Sequence, residues 1–244
     1  SPAAPPSAPP PSPPTPPSPP PGPDLALHLK LNGDLTDSSA TGQDATLFEG
    51  SLAFEASPNT TALGTALTFN GITSLRVASL PARVLGGEPR TLALWFKKVG
   101  TQRRALVRYG TSFQITASTT LIFGVSNQVA QGGTVGINTW YHAAAVYDGA
   151  GTTTLYLDGV QVATRSATLN TADTAMTIGR GETGIARLNG AMDDIALFSR
   201  ELSAAEVAVL ASGANDASGE GVSPPPPAPP PSLPPSPPPS PPPP

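Results

Sequence analysis

The chain has 244 residues, a formal net charge of −4 and no cysteine, and its basic residues form no cluster. This composition excludes a disulfide framework and a thiol nucleophile, and it argues against nucleic acid and anionic membrane surfaces as partners. No apolar run approaches the roughly 18 residues that a membrane span needs. The chain begins with Ser1 and shows no signal peptide, so we expect a mature product or a piece of a longer chain.

Proline divides the chain into three parts. Residues 2–23 contain 14 prolines and residues 224–244 contain 16, so 14 + 16 = 30 of the 33 prolines lie in two uncharged arms. We predict a proline-rich arm over 1–23, a folded body over 24–213, and a short linker with a second arm over 214–244. Proline fixes φ and lacks a backbone N–H, so each arm is predicted to be a polyproline II rod at about 3.1 Å per residue.

Short strands follow one another along the body, separated by turns that contain Gly, Asn or Ser. In chain order the predicted strands are 25–31, 45–48, 52–54, 66–70, 74–78, 90–98, 105–109, 113–117, 120–125, 141–147, 152–157, 175–179 and 191–198. Asp158-Gly159 is typical of a tight hairpin turn, in which both residues need positive φ. The capping box of Ser203 and Glu206 predicts one helix over 203–210. The pattern indicates an all-β sandwich.

Two adjacent carboxylates, Asp193 and Asp194, are the most concentrated polar feature of the body. Calcium binds several carboxylate and carbonyl oxygens, so the pair is a candidate calcium ligand, with Asp34 and Asp37 as weaker candidates. The alternative, which we favour, is that one aspartate caps a turn and the other pairs with an arginine. The arginines considered are Arg180 and Arg187. No metal or other cofactor is assigned from the sequence.

Aromatic and histidine side chains offer few binding groups. Trp95 and Trp140 could stack on the apolar face of a sugar or on proline rings, but their positions within strand patterns favour burial in the core. His28 alternates with the leucines of the first strand, so we expect it on the polar surface. His142 is expected to hydrogen-bond to backbone within the sheet.

Groups for catalysis are sparse, so we predict that the chain is not an enzyme. Its acidic residues are scattered singly apart from Asp193-Asp194, and no strand carries the alternating acid pair that glucan hydrolysis requires. Two histidines, no cysteine and no nucleophile-elbow serine leave little from which to build a triad.

One N-glycosylation sequon, Asn59-Thr60-Thr61, follows a Ser-Pro pair in a polar stretch with turn character. In a chain that passes through a secretory pathway, Asn59 is a candidate site for a glycan. The alternative is an ordinary exposed asparagine.

The body resembles the laminin-G-like jellyroll domains of the concanavalin A-like lectin and glucanase superfamily. The matching segments are 27–37, 45–47, 66–71, 91–97, 140–142, 147–149, 155–159, 178–179, 190–195 and 199–206. The resemblance implies a two-sheet antiparallel jellyroll that binds sugars or proteins at its loops or concave face. Some relatives bind calcium near the segment of Asp193-Asp194 with an acidic residue after a Phe-x-Gly motif. Here that stretch is 70–74 and contains no acid, which weakens the calcium assignment.

Both arms resemble the extensin-like, hydroxyproline-rich glycoproteins of plant and green-algal walls, because serine precedes runs of proline. The resemblance implies proline hydroxylation, short arabinose- or galactose-rich chains on hydroxyproline, and galactose on serine. The candidate sites are Ser18, Pro19, Pro20, Pro21, Ser223, Pro224, Pro225, Pro226, Pro227, Ser236, Pro237, Pro238, Pro239, Ser240, Pro241, Pro242, Pro243 and Pro244.

These observations predict an extracellular structural glycoprotein. In this hypothesis the chain is a subunit or tandem repeat of a fibre, cell wall or cell-surface coat, with glycosylated polyproline rods as its axis or spacer. The expected partners are copies of the chain or sister repeats, together with covalent or bound glycans. The alternative is a lectin module that proline-rich linkers tether to a wall.

Overall fold

In the part of the chain that the structure describes, fifteen strands form two antiparallel sheets packed face to face, and one α-helix follows the last strand. The computed structural model describes residues 24–217, apart from 111–112, 126–127, 167, 173, 182–183, 185 and 215. The predicted fold class, a two-sheet antiparallel jellyroll with one C-terminal helix, is confirmed. The polyproline arms and their candidate modification sites lie outside the described residues. No helix in the described part is long and apolar enough to cross a membrane.

Most strands begin and end within two residues of the predicted bounds. In chain order they are β1 (Leu25–Leu29), β2 (Ala45–Glu49), β3 (Phe54–Ala56), β4 (Thr65–Asn70), β5 (Ser74–Val77), β6 (Arg90–Lys98), β7 (Arg104–Tyr109), β8 (Phe113–Ala117), β9 (Leu121–Val125), β10 (Gln128–Gly132), β11 (Tyr141–Tyr147), β12 (Thr152–Leu157), β13 (Val160–Ser166), β14 (Met176–Ile178) and β15 (Asn189–Phe198). The helix α1 is Ala204–Ala211, and its predicted capping box between Ser203 and Glu206 is present.

Strands that are distant in sequence lie side by side in both sheets. Sheet A has the order β13-β12-β11-β6-β15-β4-β3, and β1 pairs with the C-terminal half of β15. Sheet B has the order β10-β9-β8-β7-β14-β5-β2. The hairpin turn between β12 and β13 has φ 50° at Asp158 and 77° at Gly159, as the Asp-Gly pair predicts.

Two hydrophobic cores hold the layers together. The main core lies between the sheets, where alternate side chains such as Leu94 of β6 and Ile115 of β8 point inward. A smaller core lies on the outer face of sheet A, where Val207 and Leu210 of α1 pack with Phe198 and other buried residues. Sheet A is therefore covered on both faces, which explains why β1 is buried at every position rather than at alternate ones.

The chain enters and leaves the described body beside opposite ends of β1. At the start, Ser199 N–H donates to Asp24 O (2.8 Å), and the guanidinium of Arg200 lies 3.0 Å from the Asp24 carboxylate. At the other end, Asp216 pairs with Lys30 (2.8 Å), the residue that follows β1. At about 3.3 Å per residue, the five-residue strand and its flanks separate these two points by roughly 20 Å.

Candidate functional site

The aspartate pair lies on the outer face of sheet A beneath the C-terminal segment. Asp194 Oδ1 lies 2.5 Å from His28 Nε2 and accepts a hydrogen bond from Ala217 N–H at 3.2 Å. Asp193 accepts a hydrogen bond from the Ser57 hydroxyl. The prediction that His28 is on the surface is wrong, because the segment that ends at Ala217 covers this face and leaves His28 fully buried.

The predicted partners of the aspartate pair are also wrong. Arg180 and Arg187 both form ion pairs with Glu49 at the end of β2. Asp193 Oδ1 instead accepts a hydrogen bond from Asp194 N–H at 2.9 Å, so the two aspartates interact with each other. The arginines lie beside sheet B, and the aspartates lie on the outer face of sheet A.

Burial determines the protonation of Asp193. Removal from solvent and the neighbouring Asp194 carboxylate together raise the pKa of its carboxyl to about 8, although the hydrogen bond from Ser57 acts to lower it. Asp193 therefore carries a proton at neutral pH. A buried, protonated aspartate is a poor calcium ligand, and it does not face solvent as the paired carboxyls of a glycosidase must.

Asp37 organises the loop between β1 and β2. Its two carboxylate oxygens accept five hydrogen bonds, from the backbone of His28, Ser39 and Gln43 and from the hydroxyls of Ser39 and Thr41. Burial acts to raise the pKa of Asp37, but these donated hydrogen bonds outweigh it and the pKa is lowered. A cation would have to displace these donors to bind.

Asp34, the other weak calcium candidate, is exposed and caps a local turn by accepting from Thr36 N–H at 3.0 Å. Across the described ranges, no three His, Cys, Asp or Glu side chains come together in a group that could hold a metal ion. Calcium binding by the four aspartates therefore stays a prediction without a described group of ligands.

Trp95 and His142 are neighbours in register on the outer face of sheet A, and both are buried. Trp95 is 9% exposed, and its ring meets that of His142 edge-on with centroids 5.4 Å apart. Burial lowers the pKa of His142 to about 3, so its imidazole is neutral. Its backbone pairs with Asp158, whereas its ring Nδ1 has no hydrogen-bond partner. The ring of Trp95 is therefore not available as a surface platform.

Trp140 lies at the rim of sheet A and is partly exposed. The ammonium of Lys97 lies 5.2 Å from the centre of its ring, and the same ammonium pairs with Glu55 at 2.5 Å. This cation–π contact occupies one side of the indole and fixes its position. Of the two tryptophans, Trp140 is the more exposed.

Asn59 holds the C-terminal segment against the body. Its side-chain amide donates to Gly213 O at 2.8 Å, and its Oδ1 accepts from Thr61 N–H at 3.2 Å. The first bond uses one of the two amide hydrogens, and an N-linked glycan would replace the other. Glycosylation of this sequon therefore stays a prediction.

A row of polar side chains crosses the outer face of sheet B. Cross-strand neighbours share a face, and the register places Thr46, Arg76, Thr177, Arg108 and Gln114 side by side on five adjacent strands. Arg76 and Thr46 are exposed, and the other three are partly exposed. The helix of the described chain packs against sheet A, so the row faces outward.

The charge of sheet B is opposite to that of the chain. Its seven strands contain three arginines, Arg76, Arg104 and Arg108, and one acid, Glu49. Glu49 is already paired with two arginines from the loop after β14. The row therefore offers guanidinium, hydroxyl and amide groups suited to hydrogen bonding with hydroxyls or carboxylates. Sequence reasoning missed this row, although each member is the polar residue of an alternating strand.

A family profile described as the concanavalin A-like lectin/glucanases superfamily, Laminin_G_3, matches residues 74–208, more than half of the chain. The chain belongs to this superfamily. The match includes β5 to β15 and most of α1, and with them four of the five residues of the polar row. The sequence resemblance to laminin-G-like domains is thereby confirmed. No curated protein sequence matches the chain.

Solved structures share the fold at low identity. Domain 4 of AbnA, a GH43 extracellular arabinanase from Geobacillus stearothermophilus in complex with arabinotriose, superposes with a TM-score of 0.61 at 21% identity, covering 77% of this chain and 98% of that one. The binding domain of botulinum neurotoxin serotype D/C superposes with a TM-score of 0.63 at 16% identity, and the match covers 78% of this chain and 52% of that one. The binding domain of Paraclostridial Mosquitocidal Protein 1 superposes with a TM-score of 0.64 at 13% identity, and the match covers 78% of this chain and 52% of that one. The chain thus spans about half the length of these two toxin domains.

Proposed function

We propose that this superfamily member is a non-enzymatic extracellular structural glycoprotein, a subunit or repeat of a fibre, wall or coat. The observation that carries the proposal is the position of the chain ends. Asp24 and Ala217 lie beside opposite ends of β1, roughly 20 Å apart on the length of that strand. The two arms would therefore attach to the body at these two separate points, so that the body lies between successive rods.

The arms would supply the axis or spacer. Hydroxylated and glycosylated polyproline is stiff because φ is fixed at each proline and the sugars add hydrogen bonds that the backbone cannot donate. The intact mass of the native protein tests this. We expect a mass above that of the bare polypeptide, with added oxygen and pentose or hexose mapped to the Ser-Pro blocks of both arms. A mass equal to that of the polypeptide contradicts the proposal.

Filaments are the second expected observation. Electron micrographs of the native material should show filaments with a regular axial repeat and projecting bodies. Monodisperse monomers in the native source would contradict the structural role.

The body would contact carbohydrate through the outward row on sheet B. Three facts support this: the superfamily contains lectins, the arabinanase domain was solved with arabinotriose, and the row presents donors in register on adjacent strands. Planar guanidinium groups and hydroxyls suit sugar hydroxyl and carboxylate groups. The proposal names neither a sugar nor a linkage.

A glycan array probed with the full chain tests this contact, with Arg76→Ala as the test variant. Arg76 is the exposed arginine of the row, so its loss should weaken binding about tenfold, which corresponds to about 1.4 kcal/mol. Arg83→Ala is the matched control, because Arg83 is an exposed arginine whose guanidinium donates to Leu25 O, outside sheet B. Equal loss in both variants would contradict a site on this face.

A tethered lectin is the alternative function. It shares the binding face but assigns the arms only a spacing role. Selective, saturable glycan binding combined with monomers in native material would favour it over the structural role.

A further inference from the structure

Exposed apolar residues concentrate at one edge of sheet B. Of the seven large hydrophobic residues exposed in the described chain, Leu47, Phe48, Leu52 and Ile72 lie at this edge, with exposures of 40 to 58%. Thr73 Oγ1 donates to Ser51 O at 3.0 Å, which brings the segments of Leu52 and Ile72 together. We call these four residues the β2 patch.

The backbone of β2 directs Phe48 outward. β2 is an edge strand that pairs with β5, and the register shifts between Leu47 and Glu49, so Phe48 is the extra residue of a bulge. A bulge re-aims its side chain and is common at sheet edges. The guanidinium of Arg180 lies 5.1 Å from the centre of the Phe48 ring, which leaves the remaining ring surface for another group.

The rim of the patch supplies hydrogen-bond donors without net negative charge. Glu49 is neutralised by Arg180 and Arg187, and Arg187 also donates to Ile72 O at 3.0 Å. Such a surface suits a ligand that is apolar, uncharged and rich in carbonyl acceptors but poor in donors. Polyproline has all of these properties, and aromatic-lined surfaces are the usual binding sites for it.

The chain itself carries such a segment within reach. Residues 224–244 contain 16 prolines and no charge, and they follow Ala217, which is fixed on the outer face of sheet A. The six residues 218–223 include two glycines and span up to roughly 20 Å, and the arm at about 3.1 Å per residue adds about 65 Å. The combined length of linker and arm exceeds the distance that the arm must cross to reach sheet B, which is about 10 Å between two packed sheets plus the length of a strand.

We propose that the C-terminal arm, residues 224–244, docks on the β2 patch of its own body. The arm's proline rings lie against Phe48 and Ile72, and its carbonyls accept hydrogen bonds from Arg180 and Arg187. Docking fixes the direction in which the arm continues from the body. The inference uses the polyproline conformation predicted for the arm and does not depend on glycan binding or on fibre formation.

The absence of cysteine makes a site-specific test direct. The full chain, expressed without proline modification, is isotope-labelled and carries a nitroxide on Ser240→Cys. Amides of residues 45–52 and of Ile72 should lose signal and regain it when the nitroxide is reduced. At the millimolar effective concentration that a tether provides, we expect about a twofold or greater loss of intensity.

Matched variants assign the effect to the patch. Phe48→Ser should abolish the signal loss, and because Phe48 is exposed the remaining spectrum should stay unchanged. Val160→Ser is the control, since Val160 is 66% exposed on the edge strand of sheet A. Equal effects of the two variants overturn the proposal, as does an absence of signal loss in the unmutated background.

Two further samples identify the occupant. A mixture of isotope-labelled chain without nitroxide and unlabelled chain with nitroxide reports contacts between copies, and signal loss at the patch in that sample would assign the patch to a second copy. A nitroxide on Ser12→Cys reports the N-terminal arm, and signal loss from that position in place of Ser240→Cys would also overturn the proposal. Signal loss that occurs only when the isotope label and the Ser240→Cys nitroxide are on the same chain supports the proposal.

Discussion

Three buried polar residues show how burial controls charge in this domain. Asp193 and His142 are both neutral at pH 7, because burial raises the pKa of the acid to about 8 and lowers that of the base to about 3. Asp37 is also buried but stays ionised, since five donated hydrogen bonds stabilise its carboxylate. Hydrogen-bond donors, rather than burial alone, decide whether a carboxyl in this fold keeps its charge.

The pH dependence of stability follows from these shifts. Folded Asp193 holds its proton up to about pH 8 whereas an unfolded aspartate releases it near 3.8, so its contribution to stability is lost as the pH rises through this range. Folded His142 stays neutral down to about pH 3, so its contribution is present above 6.5 and lost below it. Above pH 6.5 the His142 contribution levels off, and we expect stability to fall by up to about 1.4 kcal/mol per pH unit as the pH rises to 8.

Asp193→Asn should flatten this decline, because an amide does not titrate and can still accept from Ser57. Urea unfolding at several pH values between 6.5 and 8 measures the effect. Asp148→Asn is the control. Hydrogen bonds from the backbone of the following turn hold the pKa of Asp148 below its ordinary value, so removal of this carboxyl should leave the slope of stability against pH unchanged. Equal slopes for the wild type and Asp193→Asn would show that Asp193 is ionised in the folded state.

Asp37→Ala should destabilise the domain by about 3 kcal/mol, because several buried donors lose their acceptor together. The matched control is Asp34→Ala, which removes an exposed carboxylate with one turn hydrogen bond and should cost about 0.5 kcal/mol. Thermal or urea unfolding of both variants measures the difference. Similar losses in the two variants would contradict the central role of Asp37 in this loop.

At the scale of elements, alternation in sequence gave bounds for thirteen of the fifteen strands found among the described residues. β10 was missed, and β13, which the hairpin turn at Asp158-Gly159 implied, was given no bounds, because the sequences QVAQG and VQVATRS show no regular apolar alternation. The first strand was predicted but its faces were misjudged, since the C-terminal segment that ends at Ala217 buries His28. Alternation describes one covered face and fails where a sheet is covered on both.

β10 and β13 nevertheless close one side of the sandwich. They belong to different sheets, and a Cβ at Gly132 would lie 2.2 Å from Val162 O. Only a residue without a side chain allows the two backbones to approach this closely.

Gly132→Ala should therefore destabilise the domain by about 2 kcal/mol through overpacking of this junction. Gly87→Ala is the matched control, because its nearest contact would be Leu169 O at an ordinary 3.6 Å and neither glycine has positive φ. That control should be neutral or stabilising by about 0.5 kcal/mol. Denaturant midpoints compare the two, and a neutral Gly132→Ala would refute the tight approach of the sheets.

At the scale of the whole molecule, the sequence could not reveal which strands become neighbours. Arg76, Arg108 and Thr177 lie in one row only because β14 inserts between β5 and β7. The same holds for the chain ends, whose positions depend on α1 crossing the outer face of sheet A. Family resemblance gave the fold, whereas the candidate site required the order of the strands.

The positions of the ends make a mechanical prediction. Tension applied to the two termini of the full chain acts along β1 and loads the β1–β15 hydrogen bonds in shear, as long as Asp216 and Ala217 stay attached. If this attachment fails, residues 199–217 detach from the body and release about 65 Å of chain. The force then acts at Phe198, which pairs with Leu25, so the β1–β15 hydrogen bonds break one after another from that end.

Lys30→Ala weakens this attachment and should lower the unfolding force in single-molecule pulling, with an added early step. Lys97→Ala is the control, since it removes another ion-paired lysine, whose partner is Glu55 on the far strand of sheet A. Indistinguishable force traces for the two variants would show that the C-terminal segment bears no load.

The fluorescence of the two tryptophans reports whether the C-terminal segment is attached to the body. Trp95 lies directly beneath Gly213, whereas Trp140 reaches solvent beside Lys97. Detachment of residues 213–217 would expose the indole of Trp95 to water and leave the surroundings of Trp140 unchanged. A red shift in emission, together with new access for a neutral quencher, therefore reports detachment of the tail before the sandwich itself melts.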